Sequence, residues 1–184
     1  ENESEAPMNT STPVRSATEL DLDRYLGLWF EVGRLPLKWE DAEASCITAR
    51  YTLKDDGNIE VDNRCFDNLG RASQSLGRAK RVEGEPGQLT VSFLPQFLRW
   101  IPFTEGDYWV LKVAPDYSVA LVGTPDRENL WLLARERQVS QQVMDHFLAE
   151  AVEEGFDLSG WIQPVQDGRV VTDELLVEDV IRTD

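Results

Sequence analysis

Gly27-Leu28-Trp29-Phe30-Glu31 near the start of the chain, read with Trp131-Leu132-Leu133-Ala134-Arg135 far downstream, decides the fold. A Trp just after a Gly at the start of a first strand can plug one end of a small β-barrel. An Arg at the end of the last strand can lay its guanidinium over that indole, a desolvated cation–π contact worth about 2 kcal/mol. Such a contact joins the first strand to the last, which is what a closed barrel requires. Small closed barrels either fill with side chains or enclose one ligand.

Outward from this pair, the punctuation is that of β-structure. Asp55-Asp56-Gly57-Asn58 lies between two β-prone runs and reads as a hairpin turn. Further breaks fall at Asn68-Leu69-Gly70, Glu83-Gly84-Glu85-Pro86-Gly87, Pro115-Asp116 and Thr124-Pro125-Asp126. The expected strands are 28–35, 46–54, 58–66, 72–82, 88–94, 107–114, 117–123 and 129–136. Eight strands with mostly short connections predict an all-β, up-and-down antiparallel barrel. Over 140–154 the period changes. Val143, Met144, Phe147, Leu148, Ala151 and Val152 recur at helical spacing, with Ser140 as N-cap and Gly155 as stop. This C-terminal α-helix has one apolar face and is expected to pack outside the barrel.

The chain has 184 residues and a formal charge of −16, from 34 acidic and 18 basic side chains. That surface repels phosphate backbones, so nucleic acid is not an expected partner. It also opposes adsorption to anionic membranes by charge. No run approaches the ~20 apolar residues of a membrane-spanning helix. Residues 1–19 are acidic and rich in Ser, Thr and Pro, and read as a flexible tether. Residues 20–165 hold the barrel and helix, and 166–184 form an acidic C-terminal extension. Within that extension Asp173, Leu176 and Val180 allow a short amphipathic helix. The chain opens on Glu1 rather than Met and shows no signal peptide, so an upstream segment is expected to have been removed or left out.

The residues Gly27-x-Trp29, Asp116-Tyr117 and Arg135 match, in order and spacing, the three recurrent motifs of the lipocalin family, which the chain resembles over about 20–165. Tyr25 to Val32, Tyr51 to Gly57, Tyr108-Trp109-Val110 and Pro125-Asp126-Arg127 are most similar to the bacterial lipocalin and apolipoprotein D branch. Phe30 departs from the more usual Tyr, and the two-cysteine set leaves the disulfide pattern open. The resemblance implies a non-enzymatic carrier of a fatty acid or lysophospholipid. It also implies an outer-membrane lipoprotein facing the periplasm of a bacterial cell envelope, held by a lipid anchor upstream of residue 1; otherwise the protein is secreted.

Alternation places the candidate ligand-binding residues. Leu89, Val91 and Phe93 share a face; so do Ile59, Val61 and Asn63; and Trp131 and Leu133 share the face of Arg135. The family pattern adds Tyr51 and Tyr108 as inward candidates, with Val110 following Tyr108 on its strand. The result is an apolar lumen with a few polar tips, suited to an acyl chain with one head group; the alternative is a filled core. Residues 94–104 form the most apolar irregular segment, carrying Phe97, Trp100 and Phe103 at the expected open mouth. This entry loop can close as a lid, pack on a second copy in a homodimer, or dip into a membrane.

Catalytic and cofactor chemistry has little material. The single His, His146, sits in the predicted helix, so neither a zinc site nor an axial haem ligand is expected, and no cofactor is assigned. Cys46 and Cys65 lie on the two arms of the hairpin around Gly57. A disulfide between them fits an oxidising compartment, and two small buried thiols are the alternative. The rival functions are a thiol-dependent enzyme acting on a bound lipid through Cys46 or Cys65, and an envelope interaction protein that binds no ligand.

Overall fold

The computed structural model describes residues 12–37, 42–93 and 105–181. Eight strands, Gly27–Arg34 (β1), Ser45–Leu53 (β2), Ile59–Phe66 (β3), Ala72–Arg81 (β4), Gln88–Phe93 (β5), Glu105–Val113 (β6), Val119–Gly123 (β7) and Leu130–Ala134 (β8), pair in sequence order and close into one antiparallel barrel. Closure comes from β1 against β8, where Phe30 faces Ala134 and Arg34 faces Trp131. The link between first and last strand, expected from Trp29 and Arg135, therefore exists as a hydrogen-bonded ladder.

A short helix, Leu22–Tyr25 (α1), precedes β1. Asp21 caps it, accepting from the Arg24 amide at 3.4 Å. Helix Gln141–Glu153 (α2) follows β8. Ser140 Oγ accepts from the Val143 amide, and Gly155, at φ +88°, ends the helical run. Met144, Phe147 and Ala151 of α2 bury against Val32, Leu111, Val119, Leu121, Leu130 and Leu132. This outer layer explains why β7 and β8 are buried on both faces.

β1 pairs with β2 only from Gly27 to Phe30, opposite Tyr51 to Thr48. Beyond that the two strands part, and the chain after α2 fills the gap. Arg34 and Ile162 exchange backbone bonds of 2.9 and 2.8 Å, and the Cys46 amide donates to Val165 O at 2.8 Å. Gln166 Nε2 donates to Glu31 O and Ile47 O, both at 2.9 Å. The segment then crosses β3 and β4 and ends in helix Asp173–Ile181 (α3). There Arg64 Nη1 donates to Val171 O at 3.0 Å and Arg64 Nη2 to Asp173 at 2.6 Å, while Leu175 and Leu176 pack near Phe66. The acidic extension is thus fastened to the barrel wall along its described length.

The expected N-terminal tether also differs over its described part. Val14 is buried, Arg15 forks onto the Glu154 carboxylate, and the Ala17 amide donates to Val110 O at 2.8 Å. The polar composition of this stretch hid the fact that its partners, Val110 and Glu154, lie far along the chain.

Candidate functional site

The closed end is built first. Gly27 adopts φ +99°, a left-handed conformation that favours glycine, and turns the chain from α1 into β1. Trp29 is then fully buried, its Nε1 donating to Tyr25 O at 2.8 Å. The Arg135 guanidinium lies 3.7 Å from the Trp29 ring centroid. It also donates to Leu28 O and Arg24 O at 2.7 Å, Leu26 O at 2.9 Å and Tyr25 O at 3.2 Å. The Arg24, Tyr25 and Leu26 carbonyls end α1 and have no partner within it, and Leu28 O belongs to the start of β1. Asp116 holds its turn by accepting from the Ser118 amide and hydroxyl. Tyr117 sits at φ 59° with its hydroxyl accepting from the Asp21 amide at 2.8 Å. The five signature residues therefore meet at one end.

Above this floor, strand alternation directs one set of side chains inward. Tyr51, Val61, Val91, Val110 and Leu133 are buried together with Trp29, Ala49, Ile59, Ala79, Leu89, Ala120 and Val122. Phe93, Tyr108 and Trp131 pack on this group while remaining half-buried. A Cβ at Gly77 would come within 2.8 Å of the Phe93 ring, so the absence of a side chain there makes room for it. Asn63 faces Ala49 and Ser75 in register, on the same side of β3 as Val61. Eight of the nine expected lining residues thus belong to one inner cluster, and Asn63 shares its face. Phe97, Trp100 and Phe103 lie outside the described residues.

Sequence reading expected the polar tips of Tyr51 and Tyr108 but missed Tyr25, Glu31 and Arg34. Tyr25 rises from α1, and its hydroxyl lies 2.5 Å from that of Tyr108, which lies 2.8 Å from that of Tyr51. Burial pushes the pKa values of all three phenols up. Glu31 follows Trp29 on the inner face by simple alternation. Arg34 does not. A bulge between Glu31 and Gly33 shifts the register so that Arg34 pairs with Trp131 and joins the same side. Both side chains are buried, and Arg34 Nη1 donates to Glu31 Oε2 at 3.3 Å. Alternation could have found Glu31, and Gly33 within the strand was the local signal of the bulge.

Cys46 and Cys65 are not joined in a disulfide, so the expected bond between them is not formed. Tyr51 pairs with Val61 and Ala49 with Asn63, which leaves Cys46 and Cys65 one residue out of register. A one-residue offset sends side chains to opposite faces. Cys46, at φ 52° in a second bulge, packs outside with Phe66 and Val171, its Sγ donating to Asp167 Oδ1 at 3.1 Å. Cys65 follows Val61 and Asn63 on the lumen side of β3. His146 is exposed on α2, 4.0 Å from Glu150, on the outside as expected.

Comparison with known proteins agrees with this architecture. The family model described as a lipocalin-like domain matches residues 20–166. Temperature-induced lipocalin-1 of Arabidopsis thaliana is 38% identical over 143 residues, 76% of each chain. The outer membrane lipoprotein Blc of Escherichia coli is 37% identical over 166 residues, covering 87% of this chain and 89% of its own length. Among solved structures, insecticyanin from the tobacco hornworm superposes with a TM-score of 0.64 at 23% identity, covering 82% of this chain and 83% of its own; this likeness speaks to the fold. The barrel closed by Trp29 and Arg135, the apolar lumen and these matches together make the chain a member of the lipocalin family, whose members bind small hydrophobic ligands.

Proposed function

We propose that the barrel carries a long-chain lipid, a fatty acid or a lysophospholipid, in its lumen. The observation that carries this reading is the inner face itself. Aliphatic side chains from seven strands converge there, while Phe93, Tyr108 and Trp131 keep exposed surface for a bound molecule to cover. The relatives named outer membrane lipoprotein support a role in the bacterial cell envelope, with an anchor upstream of residue 1. The described ends of β5 and β6, at the end of the barrel opposite Trp29, support a reading in which the ligand enters by Phe97, Trp100 and Phe103.

Extraction of the purified protein followed by mass spectrometry is expected to yield a co-purifying acyl lipid. A burial gain of about 0.8 kcal/mol per CH₂ corresponds to roughly fourfold in affinity per methylene. Titrating fatty acids of increasing length against tryptophan fluorescence should show that slope until the lumen is full. Absence of saturable binding at every chain length would refute the carrier role.

A further inference from the structure

The tyrosine cluster at the lumen floor holds one more proton than it uses. Tyr25, Tyr51 and Tyr108 bring three hydroxyls, each able to donate once and to accept. Two bonds, of 2.5 and 2.8 Å, join them through Tyr108. Two bonds consume two protons, and the third has no acceptor among the described residues. Tyr25 and Tyr51 are buried, whereas Tyr108 is half-buried. A surplus proton on either buried phenol would be an unsatisfied donor, which is costly. If Tyr108 accepts from both neighbours, its own proton points away from them, where a bound molecule can take it.

The charges around the floor select the acceptor. Arg34 is already paired with Glu31 at 3.3 Å. Arg135 lies beyond Trp29 and is committed to the indole face and the carbonyls of the α1–β1 junction. The Glu31 carboxylate opposes further negative charge at Tyr51 more strongly than the Arg135 guanidinium favours it. The whole chain carries −16. A ligand carboxylate brought to this floor would lose its hydration and meet no uncommitted cation among the described residues.

We propose that the lumen takes its ligand polar end first, and that this end is a small uncharged acceptor whose oxygen bonds the Tyr108 hydroxyl. Suitable groups are the carbonyl of an ester, an aldehyde, a primary amide or a protonated carboxylic acid. The acyl chain then runs past Val91, Phe93 and Trp131 toward the mouth. This inference rests on the carrier reading above and narrows it, since a bulky charged head group does not fit the floor so described.

The test uses the intact protein at pH 8 with two probes of one chain length, a free fatty acid and its methyl ester, each carrying a ¹³C carbonyl. The ester should bind at least about tenfold more tightly than the ionised acid. Its bound carbonyl stretch should lie below its position in hydrocarbon solvent, as a hydrogen bond requires. Tyr108→Phe should abolish that shift and weaken the ester about tenfold. Tyr25→Phe, which also removes one hydroxyl, should preserve the shift, because Tyr51 can still donate to Tyr108. An unshifted carbonyl in the parent protein, or an acid bound more tightly as carboxylate, would overturn the inference and leave the carrier reading intact. If neither probe binds, both fall together.

Discussion

Arg135 shows how much one side chain can hold. Its contact with Trp29 is worth about 2 kcal/mol as a cation–π interaction. The same guanidinium also satisfies carbonyls of Arg24, Tyr25, Leu26 and Leu28, so it ties the end of α1 and the start of β1 to the end of β8. Lys keeps the charge but offers neither the flat stacking surface nor a fork of fixed donors. Arg135→Lys should therefore cost roughly 2–3 kcal/mol in urea unfolding. Lumen affinity should stay within about twofold, because the guanidinium lies on the far side of Trp29. A variant with unchanged stability and altered affinity would show that the residue acts on the ligand instead.

At the level of elements, the informative features are two bulges. One in β1 turns Arg34 into the lumen, and one in β2 holds Cys46 at φ 52° on the outer face that alternation from Tyr51 gives it. Both face the segment that enters between the two strands, and Gln166 bonds a carbonyl on each side. Gly33 sits at the β1 bulge beneath Trp161, where an added Cβ would come within 2.1 Å of the indole. Gly33→Ala must therefore displace Trp161 and loosen the Arg34–Ile162 bridge. Overpacking of this kind costs about 1–3 kcal/mol. Thermal unfolding of Gly33→Ala should show that loss, and amide exchange should quicken at Ile162 and Cys46 before it does in β7. Uniform exchange would mean that the bulge does not depend on the inserted segment.

For the molecule as a whole, closure makes the floor a joint between distant parts of the chain. The three phenols come from α1, β2 and β6; Tyr25 and Tyr51 are buried, and Tyr108 is half-buried between them. Burial raises their pKa values, so each holds its proton in the folded state where an unfolded tyrosine, near pH ~10, releases it. The sign follows from linkage. Above pH ~10 the unfolded state binds fewer protons than the native one, so stability falls as pH rises, while below that pH the contribution is complete. In an alkaline titration, tyrosinate absorbance from these three residues should emerge together with the loss of the far-ultraviolet β signal. Ionisation of all three well before unfolding would mean that the floor is open to solvent.

Strand periodicity, turn residues and the Trp29–Arg135 pairing are local or nearly local signals, and they determined the eight-stranded barrel, the outer helix and most of the apolar lining. Each strand needs only its own alternation to say which side chains share a face. The position of Arg34 depended instead on a bulge, which arises only when two strands meet. That is why Arg34 entered the lumen unforeseen, whereas alternation from Tyr51 and Val61 by itself puts Cys46 and Cys65 on opposite sides of the wall. It is also why two polar stretches that read as a tether and an extension proved to be fastened to the barrel. Their composition described how they meet water, while their positions were set by Glu154, Val110, Arg64 and the gap between β1 and β2, partners that only the tertiary structure brings near.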